Sequence, residues 1–230
     1  MGAPGGRSGQ DEAPPGRPGE NRGTVRAFAF SLLLVLAPAF ALSDPPAPGT
    51  AGVLVGLETA LGEIDLLVDV AHAPVTARNF LRYVEDGRYD GGRFHRTVTP
   101  ENQPDKKVKI DVVQAGVPPE SEKLDQTPIP LERTRDTGLA HVDGAVSMAR
   151  DTPDSATSDF FICVGAQPSL DFGGARNPDG QGFAAFGRVV RGMDVVRKIW
   201  RSPARGQALE PSVRILRARI LPLSAPTPVR

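Results

Sequence analysis

The chain has 230 residues, 40% of them hydrophobic, which suits one domain of ordinary size with tails. Lys and Arg together number 27, as do Asp and Glu, so the formal net charge is zero and no basic footprint marks the chain for nucleic acid or an anionic membrane surface. A single cysteine, Cys163, excludes an internal disulfide framework and a multi-cysteine metal site.

Residues 1–24 are rich in Gly, Pro, Arg and Glu and cannot supply a core. Arg22 and Arg26 then precede an apolar run, Ala27 to Leu42, whose only polar member is Ser31 and which ends at Ala39-Phe40-Ala41. A basic flank, a short apolar stretch and a small-x-small site describe a secretory signal peptide, cleaved near Ala41. The competing reading is a membrane anchor. A span needs about 20 apolar residues, and this run is shorter and contains Pro38. Export to a periplasm is therefore the expected address, without stable membrane insertion after cleavage. The basic flank is long for a signal, which points to translation beginning at Val25. The division expected is extension and signal over 1–42, linker over 43–51, folded domain over 52–223 and a tail over 224–230.

In the folded part, Val53–Thr59 and Glu63–Asp69 read as a hairpin. Ile64, Leu66 and Val68 alternate with Asp65, Leu67 and Asp69, the period of a half-buried strand. Thr76 is placed to cap a helix with Ala77, Phe80, Leu81 and Val84 on one face, closed by Gly87. Short strands are expected at Arg93–Thr97, Lys109–Gln114, Ala145–Arg150, Asp159–Val164 and Phe186–Val190. A short helix follows at Met193–Trp200. The last strand is expected at Val213–Leu221, with Leu216, Ala218 and Ile220 on one side. Many short strands, Gly/Pro-rich connections and two helices argue an all-β barrel capped by helices. Cys163, in the run Phe160–Val164, reads as a small buried hydrophobe.

Six pieces stand in a telling order: the helix Pro74–Gly87, Phe94-His95-Arg96, Gln114-Ala115-Gly116, Gly144 to Ala149, Phe160 to Cys163, and Phe186-Gly187-Arg188-Val189, with Gly192 to Val196 fitting after them. In order and spacing they resemble the cyclophilin family, over about residues 52–223. The resemblance implies a closed eight-stranded antiparallel β-barrel with a helix over each end. It also implies peptidyl-prolyl cis–trans isomerase activity on proline-containing polypeptides, by a monomer with no metal or cofactor, assisting the folding of exported proteins.

The chemistry suits such a barrel. The peptide C–N bond has partial double-bond character, and X–Pro bonds turn over only in tens to hundreds of seconds unaided. Twisting the bond localises a lone pair on the proline nitrogen. A catalyst needs a donor aimed there, an apolar socket for the ring and donors for the flanking backbone. By the resemblance, Arg96 is the donor and Gln114 binds substrate backbone and orients it. Phe161, Met148, Ala149, Val112 and Leu170 match positions in or beside the proline pocket, with His95 at its border. Plain barrel core is the other reading of the apolar members. Phe94 is assigned to the core and His141 to a structural hydrogen bond.

The pattern breaks in several places. An insertion, Val98 to Lys109, separates Arg96 from Gln114 and puts Asp111 where the family usually has a pocket phenylalanine. A carboxylate there would weaken the apolar grip or pair with Arg96, unless another residue takes the space. Asp159 stands where glutamine is common, and Arg150 where asparagine is. Ser169 replaces the tryptophan of cyclosporin-sensitive members, which implies weak cyclosporin binding. The loop Asp171–Gly182 has two aspartates but not the spacing of a calcium loop. These departures keep a second reading open, a module that grips proline segments as a chaperone or scaffold with little turnover.

Overall fold

The computed structural model describes residues 52–121 and 127–222, together with Gly2. Apart from Gly2, the segments read as signal peptide, linker and tail lie outside the described residues.

The chain runs β1 (Gly52–Thr59), β2 (Gly62–Asp69), α1 (Pro74–Glu85), β3 (Arg93–Val98), β4 (Val112–Gly116), α2 (Thr134–Thr137), β5 (Ala145–Met148), β6 (Phe160–Cys163), β7 (Ala184–Arg191), α3 (Met193–Trp200), β8 (Ala204–Arg205) and β9 (Ala208–Leu221). The antiparallel order is β1-β2-β7-β5-β6-β4-β3-β9, and β9 pairs back onto β1. Eight strands thus close a barrel, the expected architecture, and closure removes the open edges that an isolated sheet would present. The two-residue β8 pairs with β9 alone and stands outside the ring.

Two helices were expected and the described residues hold three. The extra one, α2, is a single turn of Thr-Arg-Asp-Thr closed by Gly138 in the left-handed region, with no apolar period to announce it. The strand expected at Lys109–Gln114 instead starts at Val112 and runs to Gly116, because the insertion ahead of it uses the preceding residues in its own turns.

Alternation in β2 holds, with Ile64, Leu66 and Val68 turned inward. In β9 it does not. Leu209, Val213, Ile215 and Ala218 are buried, whereas Leu216 and Ile220 are 44% and 42% exposed. Pairing with β1 skips from Arg217 to Ile215, so Leu216 is the extra residue of a bulge that shifts the phase of the strand.

Helix α1 covers one end of the barrel and inserts Phe80 into an aromatic cluster. Its ring centroid lies 5.3 Å from Tyr89, 5.3 Å from Phe160 and 5.0 Å from Phe186. The hydroxyl of Tyr89 donates to the Ser158 carbonyl at 2.7 Å, satisfying the polar end of a buried ring. Helix α3 buries Val196 and Ile199, and the Trp200 indole N–H donates to the Val98 carbonyl at 3.0 Å.

Thr76 does not cap α1. Pro74 opens the helix, and the carboxylate of Glu132, far along the chain, accepts from the backbone N–H of Val75 at 3.0 Å and of Thr76 at 2.7 Å. A negative group on the first-turn N–H donors stabilises a helix start. Glu132→Ala is expected to lower unfolding free energy by about 1 kcal/mol, read as a shift in urea midpoint at unchanged slope.

Candidate active site

Barrel register places the site. Arg96 on β3 pairs with Gln114 on β4, Gln114 with Phe161 on β6, and Phe161 with Ser147 on β5. On the other side Arg96 pairs with Ala208 on β9. Cross-strand partners share a face, so cation, amide and aromatic ring stand in one row. Pairing of β3 with both neighbours shifts between Phe94 and Arg96. The resulting bulge at His95 lets Phe94 fill the core while His95 and Arg96, adjacent in sequence, both line the same cleft.

That cleft has a volume of about 930 Å³. Its apolar floor includes Ile110, Val112, Phe161, Leu170, Phe183 and Ala149. These belong to a small cluster of their own, with Val98, Ala145 and Cys163, separate from the barrel interior. Cys163 is fully buried and burial pushes its thiol well above the ordinary value, so it contributes packing. Met148, read as a pocket residue, is fully buried in the barrel interior and does not line the cleft. Its place on the four-residue β5 turns it inward.

Asp111 also lies elsewhere. Ile110, Val112 and Gln114 face the cleft, so strand alternation points Asp111 away from it. Its sequence neighbours Ile110 and Val112 line the cleft instead. One Asp111 oxygen is buried with no hydrogen-bond partner, and burial followed by the nearby Glu101 raises its pKa above the ordinary value. The partners of Arg96 are amides. Arg96 Nη1 donates to Gln114 Oε1 at 2.9 Å, while Nε and Nη2 donate to Gln207 Oε1 at 2.9 and 2.6 Å. Burial pulls the guanidinium below its ordinary pKa, yet an arginine remains charged in any protein setting. Gln207, at the β8–β9 turn, escaped the sequence reading, since nothing in Arg-Gly-Gln signals a site 111 residues away.

The remaining polar departures are structurally engaged. Asp159 accepts from Gln114 Nε2 at 2.9 Å and lies 3.5 Å from His95 Nε2. Gly116 makes this possible, since a Cβ there would collide with the Asp159 carboxylate. Arg150, its side chain nearly buried, donates to the Gly182 carbonyl at 2.8 Å, grips Asp179 with both terminal nitrogens at 2.8 and 3.0 Å, and lies over the Phe183 ring. It fastens the 171–182 loop against the cleft and fixes Phe183, whose edge meets the Phe161 ring at 5.4 Å. Both aspartates of that loop are thus in use, Asp179 on Arg150 and Asp171 on His141.

His141 stacks behind Phe161, ring centroids 5.9 Å apart at 14°. Its Nδ1 meets Asp171 at 2.7 Å and its Nε2 meets Ser147 Oγ at 3.0 Å. Ser, His and Asp in a line invite comparison with a hydrolase triad, but Ser147 is 0% and His141 1% exposed, and no substrate carbonyl can reach a hydroxyl sealed behind Phe161. The group is a backstop that keeps the Phe161 ring in one plane.

A fixed cation thus stands beside an apolar socket, and the row's hydroxyl is sealed away. Comparison with known proteins shows the family. The family model for cyclophilin type peptidyl-prolyl cis-trans isomerase/CLD matches residues 54–220. Peptidyl-prolyl cis-trans isomerase A of Dickeya dadantii (strain 3937) is 38% identical over 168 residues, 73% of this chain and 77% of that protein. Peptidyl-prolyl cis-trans isomerase B of Escherichia coli (strain K12) is 34% identical over 147 residues, 64% of this chain and 83% of that protein. Among solved structures, a cyclophilin type isomerase of Cryptosporidium parvum superposes with a TM-score of 0.60, covering 74% of this chain and 98% of its own at 18% identity. The same protein has been solved in the presence of the dipeptide ala-pro, and that form superposes with a TM-score of 0.59. The chain belongs to the cyclophilin family of peptidyl-prolyl cis–trans isomerases.

The backstop generates a pH prediction. Burial would raise the Asp171 carboxyl, but hydrogen bonds from the His141 ring and backbone N–H outweigh it and hold the pKa below its ordinary value. A carboxyl depressed on folding contributes stability above its unfolded pKa of about 3.9, lost as pH falls through the folded value. Asp171→Asn should therefore cost about 1.5 kcal/mol at neutral pH, and the gap to wild type should close below about pH 4, as followed by urea unfolding across pH.

Proposed function

We propose that this chain catalyses rotation about X–Pro peptide bonds with Arg96 as the donor to the proline nitrogen, acting on exported polypeptides. The observation that carries the residue assignment is the row Arg96–Gln114–Phe161 along one cleft. A proline ring seated on Phe161, Val112, Ile110 and Leu170 lies next to the guanidinium. Nε, Nη1 and Nη2 each engage one N–H with an amide, which leaves one N–H on each terminal nitrogen for substrate.

In the planar imide the nitrogen lone pair is delocalised into the carbonyl and offers a poor acceptor. As the bond twists, the pair localises on nitrogen and the Arg96 N–H gains an acceptor that neither planar isomer presents. Stabilisation confined to the twisted form lowers the barrier in both directions. Gln114 holds the guanidinium through Oε1 and is itself oriented by Asp159 through Nε2. Asp111 neither reaches the cleft nor pairs with Arg96, so it gives no support to a grip without turnover.

Among the described residues no helix is long and apolar enough to cross a membrane. Export rests on the apolar run Ala27–Leu42 with its basic flank and Ala39-Phe40-Ala41 site. It is tested by N-terminal sequencing of the protein from its own host, which should begin near Leu42.

Arg96→Ala should reduce kcat/KM on a proline tetrapeptide by about 10²- to 10³-fold while peptide binding and the circular dichroism spectrum persist. Equal activity of the two proteins would remove Arg96 from the mechanism. Phe161→Ala should weaken binding and turnover together. Ser169 lies in the turn Pro168–Leu170 and does not line the cleft. Cyclosporin should bind weakly by calorimetry, and low-nanomolar affinity would contradict the reading of that position.

A further inference from the structure

The insertion between β3 and β4 is a built element with two attachments to the cleft. Thr99 and Asn102 close a reciprocal cap, and Asn102 Nδ2 donates to the Thr97 carbonyl at 3.0 Å and the Gly206 carbonyl at 3.1 Å. The Asn102 carbonyl accepts from Gln207 Nε2 at 3.2 Å, and Gln207 is the amide that receives Arg96. Next in sequence, the buried Gln103 donates to the Thr99 carbonyl at 2.8 Å and the Ile110 carbonyl at 2.7 Å. Its Oε1 accepts from Arg176 Nη1 at 2.7 Å, and the Val108 carbonyl accepts from the same nitrogen at 2.7 Å.

Arg176 lines the cleft beside Ile110 and Leu170. Both its acceptors are neutral, as are those of Arg96. Among the described residues no carboxylate lies within ion-pair distance of either guanidinium. The cleft's other charges are differently disposed. Arg150 is neutralised by Asp179, Glu210 is paired with Arg205 at 2.7 Å, Asp159 is occupied by Gln114 and His95, and Arg93 and the exposed Asp151 complete the charged lining. Burial and the like charge of Arg96 both pull the Arg176 pKa below its ordinary value. Two half-buried cations facing one groove, neither of them in an ion pair among the described residues, form a place that an incoming carboxylate improves.

We propose that Arg176 determines specificity, favouring proline segments that carry an acidic residue next to the proline, and that the 98–109 insertion is the bracket that positions it through Gln103. The proposal rests on the isomerase reading of the same cleft.

The test compares full-chain wild type, Arg176→Gln, Arg176→Lys and Gln103→Ala on tetrapeptides with Glu, Ala or Lys immediately before or after the proline. At about 20 mM salt, where screening is weak, wild type should favour Glu over Lys in at least one series by about fivefold in kcat/KM. The ratio should fall towards one in Arg176→Gln, survive in part in Arg176→Lys, and drop in Gln103→Ala. Raising salt to about 0.5 M should compress it. An active wild type without the preference, or a preference unchanged in Arg176→Gln, overturns the proposal. If no peptide is turned over, the isomerase reading fails. Fluorescence-anisotropy binding of the same peptides then reads the Glu-to-Lys ratio by itself, with the same expectation for wild type and variants.

Discussion

Ring closure by the β1–β9 pairing leaves each strand of the barrel with two hydrogen-bonded neighbours, and that constraint decides what the wall can display. A one-residue slip anywhere would exchange the inner and outer faces of a strand, and in a closed ring the error has no free edge at which to be absorbed. Arg96, Gln114 and Phe161 come from three strands separated by the insertion and by a long connection, yet they stand abreast because the ladders leave them no alternative. Two of the bulges in the ladders show how irregularities work within this constraint. The one at His95 turns Arg96 onto the wall next to a core phenylalanine, and the one at Leu216 re-phases β9 so that the ring can close.

The way Arg96 is held bears directly on its chemistry. A carboxylate partner would fix a guanidinium firmly and also neutralise it, taking away the charge that makes it a strong donor. Two glutamine oxygens fix the plane through three N–H bonds and leave the charge unspent. Confining it without a counter-ion costs desolvation, visible as the lowered pKa. The cleft's open side keeps that cost moderate. Asp159 stands one residue further along the chain of contacts, where it orients the Gln114 amide.

The elements that were legible in the sequence are those whose pattern is local. The β1–β2 hairpin, the apolar face of α1 and the extent of α3 follow from periodicity within about ten residues, and the barrel followed from the ordered motifs. The unread parts depend on partners distant in the chain. Nothing near Thr76 announces that Glu132 will cap its helix, and nothing near Gln207 announces Arg96. The spacing from Gln114 gives Asp111 a position but not a direction. The side-chain direction came from where β4 actually starts. For Met148 the core alternative holds, since it lies near the cleft in sequence but on the inner face of β5.

The insertion shows why a loop of this kind is tolerated beside the row Arg96–Gln114–Phe161. Closing a longer loop costs little, since the entropy grows only with the logarithm of its length, and much of that is offset when buried side chains satisfy the loop's own backbone. Gln103 does this for Thr99 and Ile110, and Asn102 for Thr97 and Gly206. The segment therefore has a fixed shape, and that shape ends on Gln207 at one residue and Arg176 at the next. Any change that loosens it reaches Arg96 through Gln207 and Arg176 through Gln103. A departure from the family pattern has in this way become part of how the cleft holds its charge.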